Sequence, residues 1–174
     1  DHGSACTAIN RPGVRTVYPP VAQAAFDLIR IVSLGGRGGH LPVQLAAALG
    51  AIAVGWLLAR RALARGRGLW PAALWSWCPM VSVEFGNNAH IDWLGVLLCV
   101  LALTSEAARR SGWAGALVGA AIATKLYPGL VLASLLRRRP VLVLSCASAV
   151  VVLSYVPHVI AVGPDVIGYL PGYL

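Results

Sequence analysis

Apolar residues arrive in long runs along this chain, and short clusters of arginine separate them. The first run covers 41–59 and is closed by Arg60, Arg61, Arg65 and Arg67. The second, 69–85, carries Trp70, Trp75 and Trp77 and stops at the turn-forming string Gly86, Asn87, Asn88, Ala89, His90. A third occupies 91–107, ahead of Arg109 and Arg110. A fourth covers 113–136, is interrupted at Lys125-Leu-Tyr-Pro128, and is closed by Arg137, Arg138 and Arg139. The last fills 141–162. A helix needs roughly 20 apolar residues to cross the hydrocarbon of a bilayer, so these runs predict membrane helices. Residues 21–34 are different. They are apolar but hold Gln23, Asp27 and Arg30, with the two charges one helical turn apart, and they are too short to span. That pattern predicts an interfacial or re-entrant helix. Residues 1–20, ending at Tyr18-Pro-Pro20, read as a loop, and the glycine-rich segment 35–39 as a flexible break.

Arginine placement orients the runs, because positive loops stay on the cytoplasmic side. All three arginine clusters then face the cytoplasm, and residues 1–40, the 86–90 turn and residues 163–174 face outward. The fourth run has arginines at both ends, which a single straight span cannot satisfy. A broken hairpin does: 113–124 runs outward, Lys125 to Pro128 turns, and 129–136 returns. Each arm is at most about 12 residues, or roughly 18 Å of helix rise, so the turn falls inside the outer half of the membrane. Irregular backbone at that depth survives only against protein or a water-filled cavity.

Composition agrees. The chain has 174 residues, 58% hydrophobic and 11% charged, with a mean hydropathy of +0.74. A soluble domain carries about 25% charged residues. The expected class is all-α: a polytopic bundle of transmembrane helices forming one domain over 1–174, with an interfacial helix and a broken helical hairpin. The formal charge of +8 comes from 13 arginines and Lys125 against six acidic residues. These charges sit in short clusters between spans rather than on one continuous face, which excludes nucleic acid as a partner. Cys6, Cys78, Cys99 and Cys146 show neither paired nor metal-ligand spacing, so no disulfide framework, metal or cofactor is expected. The chain starts at Asp1, its only methionine is Met80, and it ends on an aromatic Gly/Pro segment. It is therefore expected to be a piece of a longer protein, cut at both ends.

Chemistry concentrates at the outer turn. Glu84, Asn87, Asn88, His90 and Asp92 gather there, and ionisable groups near membrane depth mark functional sites by default. Glu84 and Asp92 are candidate acid or base residues, and histidine is the side chain that titrates near neutrality. The plain alternative is that the asparagines make a turn and Asp92 caps the helix that follows. Glu84, His90 and Asp92 match no metal-ligand spacing. Lys125, beside Tyr127 at the hairpin apex, is suited to hold a phosphate as a point charge; the alternative is a lysine that merely snorkels. Arg15 and Tyr18 in the first loop are candidates to face the same anion.

Four stretches together resemble a family. The run INRPGVRTVYPPVAQ from Ile9 to Gln23, VEFGNNAHID from Val83 to Asp92, ATKLYP from Ala123 to Pro128 and the ending YLPGYL from Tyr169 are similar to blocks of the actinobacterial polyprenol-phosphate-mannose-dependent mannosyltransferases. These are membrane enzymes of the GT-C superfamily. The resemblance implies a GT-C-like bundle in the cell membrane, with its active site on the extracytoplasmic side. It implies a hexosyltransferase that moves mannose, with inversion, from a polyprenyl-phosphate-linked donor to a glycan or glycolipid acceptor. It places Lys125 and Tyr127 at the lipid phosphate, and Glu84, His90 and Asp92 around the sugar. Its catalytic base would be a carboxylate of the first outer loop, upstream of Asp1, so this piece alone is expected to lack activity. The competing class is a transporter or channel module using Glu84, His90 and Asp92 as a relay. It explains neither the first-loop block nor the missing second set of broken helices.

The orientation is tested by labelling. In a background without the native cysteines, a membrane-impermeant thiol reagent applied from outside should react with a cysteine at Asn88 and spare one at Arg109. The reverse pattern would invert the membrane topology and remove the outer site.

Overall fold

A computed structural model describes Thr16, residues 18–35 and 39–163, and Val166. The ending YLPGYL, Cys6 and most of the first-loop block, Arg15 included, lie outside the described residues. Among the described residues the structure is all helical, with no strand. In chain order the helices are α1 (Pro20–Val32), α2 (Leu41–Leu63), α3 (Trp70–Ser76), a π-helical turn (Val81–Asn87), α4 (Asp92–Ala107), α5 (Ser111–Ile122), a 3₁₀ turn (Tyr127–Val131), α6 (Leu132–Leu135) and α7 (Pro140–Val162). Four of the α-helices, α1, α2, α3 and α7, carry proline in the first turn. There its fixed φ suits the helix and its missing N–H costs nothing.

Among the described residues two helices, α2 and α7, are long and apolar enough to cross a membrane; the π turn and α4, bent by 117°, count as a third if taken together. Burial is arranged as a bilayer requires. The inward side of α2 is Ala47, Gly50, Val54 and Gly55, whereas Leu49 and Ile52 are 66% and 67% exposed. Large apolar side chains pointing outward and small residues at the helix interfaces suit lipid surroundings, where close backbone approach drives association.

The broken hairpin is present, and packing explains it. Gly115 lies against Val143, and Gly119 against Ala147, so α5 and α7 run parallel in register. Both helices leave the same end, and the chain between them must therefore return. It does so with matched lengths. The 12 residues of α5 rise roughly 18 Å, and the five 3₁₀ and four α residues that follow descend roughly 16 Å. Continuing the register puts Ile122 near the level of Val150, so α7 extends about 18 Å beyond the end of α5. Two side-chain bonds match the other ends. Gln44 Nε2 donates to the Asn87 carbonyl at 2.9 Å, and Arg61 Nη1 to the Thr104 carbonyl at 3.4 Å. The arginine clusters thus share one end of the bundle and the 84–90 turn occupies the other.

One run departs from expectation. Residues 69–85 do not make a continuous helix: α3 stops at Ser76, and a π-helical turn begins at Val81. Pro79 has no N–H to give and its ring collides with the carbonyl one turn back, so an α-helix cannot pass through it undisturbed. The two pieces are held against α2 instead, through the Trp75 indole N–H donating to the Ala51 carbonyl at 2.9 Å and the Gln44 bond.

The α5–α7 contact should set stability. A methyl at Gly115 or Gly119 would collide with the backbone carbonyl of Val143 or Ala147, whereas one at Gly68 meets nothing within 4 Å. Gly119→Ala should cost about 1–3 kcal/mol as overpacking, and Gly68→Ala close to nothing. Thermal unfolding in detergent reads the difference, and equal melting of the two would refute the close approach.

Candidate active site

Three breaks in helical structure meet at one place, and each has a local cause. The first is the π-helical turn after Pro79. Its wider spacing appears in the Asn88 N–H, which donates to the Val83 carbonyl at 2.8 Å, five residues back. Such turns are rare and mark functional sites more often than chance. The second is the reversal at Ala89, whose φ of 53° is left-handed, an unusual setting for a residue with a Cβ. The His90 N–H closes it on the Glu84 carbonyl at 2.9 Å. The third is the hairpin apex, where Pro128 is fully buried and Tyr127 and Pro128 lie against Gly95 of α4.

These breaks deliver two polar clusters. In one, His90 Nδ1 lies 3.2 Å from Glu84 Oε2, and the Asn88 amide donates to the same oxygen at 3.4 Å. In the other, the Lys125 ammonium donates to both oxygens of Asp92, at 2.8 and 2.7 Å, and the Tyr127 hydroxyl donates to Asp92 Oδ1 at 3.1 Å. Lys125 Nζ also stands 6.0 Å from the Tyr127 ring centroid. A cavity of about 480 Å³ joins the clusters; Trp75, Cys78, Met80, Val81, Phe85, Glu84, His90, Asp92 and Lys125 line it. Apolar walls with a few convergent polar groups are the usual form of a small-ligand site. Among the described residues no three of His, Cys, Asp and Glu are grouped to hold a metal ion.

The helix-capping alternative for Asp92 does not describe this geometry. α4 has no side-chain cap; Asp92 stands in its first turn and spends its carboxylate on Lys125 and Tyr127. Nor is Lys125 simply reaching for a headgroup. Tyr18 takes a different position: it precedes α1, packs edge-on against Phe26 at 5.6 Å, and does not line the cavity. The start of α1 is nonetheless tied to the hairpin, since the Val21 N–H donates to the Ala123 carbonyl at 2.9 Å. The segment that follows Tyr18 and the segment before Lys125 are therefore neighbours.

A sequence model of Glycosyltransferase family 87 matches residues 17–171. The chain belongs to this family. No curated protein and no solved structure matches it. Membership indicates glycosyltransferase activity and leaves the transporter reading without support.

Two features around the cavity escape sequence reasoning. Gln44 reads as one polar residue in an apolar span, yet it holds the 84–90 turn to α2; its isolation in that span is the available signal. The aromatic wall, Trp75 on Phe85 with centroids 5.8 Å apart, has no signal beyond the run of tryptophans.

Turnover should depend on the clusters more than folding does. His90→Gln and Asp92→Asn are each expected to lower kcat by about 10²-fold or more, the usual scale for a proton-handling group, while the protein still folds. A variant that keeps full turnover removes its residue from the chemistry.

Proposed function

We propose that this family 87 transferase moves a hexose, mannose, from a polyprenyl-phosphate-linked donor to a glycan or glycolipid acceptor on the extracytoplasmic side of the cell membrane, in a GT-C-like bundle. One observation carries the reading: the only lysine of the chain stands at a helix break well below the end of α7, on the wall of a cavity shared with Glu84, His90 and Asp92. An ammonium beside a phenol at membrane depth suits the phosphate of a lipid-linked sugar. The lipid tail stays among the helices while the sugar enters the polar cavity.

In this reading Lys125 and Tyr127 hold the donor phosphate, with Arg15 and Tyr18 approaching from the first loop. Glu84, His90 and Asp92 surround the sugar. Transfer breaks the bond between the anomeric carbon and the phosphate oxygen, and the polyprenyl phosphate leaves with the electron pair. The acceptor oxygen forms the new bond from the opposite face and gives its proton to a base. Lys125 contributes by stabilising the charge that grows on the departing phosphate, the interaction that fixed charges in a sheltered site supply best.

In the complete enzyme, Lys125→Ala should weaken use of polyprenyl-phosphate mannose severely, and Lys125→Arg should retain part of it, since arginine keeps the charge but not its compact shape. Transfer of radiolabelled sugar in proteoliposomes measures both. Wild-type donor affinity in Lys125→Ala would reduce the lysine to a structural anchor.

A further inference from the structure

Most of the donors that would hold a phosphate are already engaged. An ammonium offers three N–H groups, and two of those of Lys125 serve the two oxygens of Asp92. The Tyr127 hydroxyl, the neighbouring donor, points to Asp92 Oδ1 as well. The pair is neither deeply buried nor free in solvent: the side chains are 38% and 21% exposed, and the cavity opens onto both. A phosphate reaching Lys125 and Tyr127 meets a carboxylate already seated there.

We propose that Asp92 is a specificity-determining residue: in the donor-free transferase it fills the anion seat formed by Lys125 and Tyr127, so that only a donor with a negatively charged leaving group can take the seat. The inference rests on the phosphate role given to Lys125 above. A neutral glycoside offers the ammonium nothing to replace a charge-assisted pair, and leaves it intact. A phosphodiester offers oxygens of the same charge, so the exchange returns to Lys125 what it loses. What is left over is the Asp92 carboxylate, released into a cavity that also holds Glu84. That residual charge opposes donor binding, which gives the proposal its sign: removing the charge of Asp92 tightens the anion site. The rival geometry, in which Asp92 only steadies Lys125 for an incoming phosphate, has the opposite sign, because loss of the carboxylate would then loosen the lysine and weaken binding.

The experiment measures binding of farnesyl phosphate and of farnesol to the complete transferase in nanodiscs, by isothermal titration. Asp92→Asn should bind farnesyl phosphate at least about tenfold more tightly than wild type, with farnesol unchanged, and in assays should show a lower KM for the lipid-linked donor together with a lower kcat. Asp92→Ala gives an independent reading: acetate should now compete with farnesyl phosphate, having taken the vacated seat, while wild type ignores acetate. Equal or weaker farnesyl phosphate binding in Asp92→Asn and no acetate competition in Asp92→Ala, with binding still lost in Lys125→Ala, would overturn the exchange and leave the phosphate role standing. Wild-type binding in Lys125→Ala would overturn both.

Discussion

The contact between Lys125 and Asp92 is the hinge of this structure. It joins the apex of a broken hairpin to the first turn of α4, two places where the backbone leaves regular helix inside an apolar bundle. A charge in such surroundings is costly when alone, and so is irregular backbone. Bringing them together meets both needs: each charge finds its partner, and both breaks border one cavity. The position of Tyr127, lying on Gly95 with its hydroxyl on Asp92, follows from the same meeting.

The rest of the bundle keeps that meeting in place. Parallel packing of α5 on α7 through Gly115 and Gly119 requires the intervening chain to turn back within the bundle, and the short return sets the depth at which Lys125 stops. On the other side, Gln44 and Trp75 hold the π turn and α3 to α2, with the result that Glu84 and His90 open onto the cavity that Asp92 and Lys125 share. Small residues inside and large apolar ones outside make this possible without a water-driven core.

The site therefore contains charges of both signs that are matched to one another in the absence of substrate. On the proposed function, a charged lipid donor exchanges some of these partners during the cycle, and the partly open cavity leaves room for that exchange. The Glu84–His90 pair, supported only by Asn88 and by the reversal at Ala89, is the other arrangement that substrate can alter.

Much of this was legible in the chain itself. Lipid selects residues one at a time by their cost in hydrocarbon, so the apolar runs, the arginine clusters that separate them, a short helix ahead of the first span and the break at Lys125 could all be read along the sequence. So could the gathering of Glu84, His90 and Asp92, because a short turn keeps near neighbours near. The division of run 69–85 was signalled by Pro79, but a hydropathy reading gives a proline in an apolar run little weight. Other features depended on tertiary structure alone: the pairing of Lys125 with Asp92, 33 residues away, the hold of Gln44 on the Asn87 carbonyl, and the register of α5 on α7. The reason is geometric. Which donor meets which acceptor across a bundle depends on where each broken helix stops and how far each helix is rotated, and those are set by the fit of glycine and alanine faces, which hydropathy does not record.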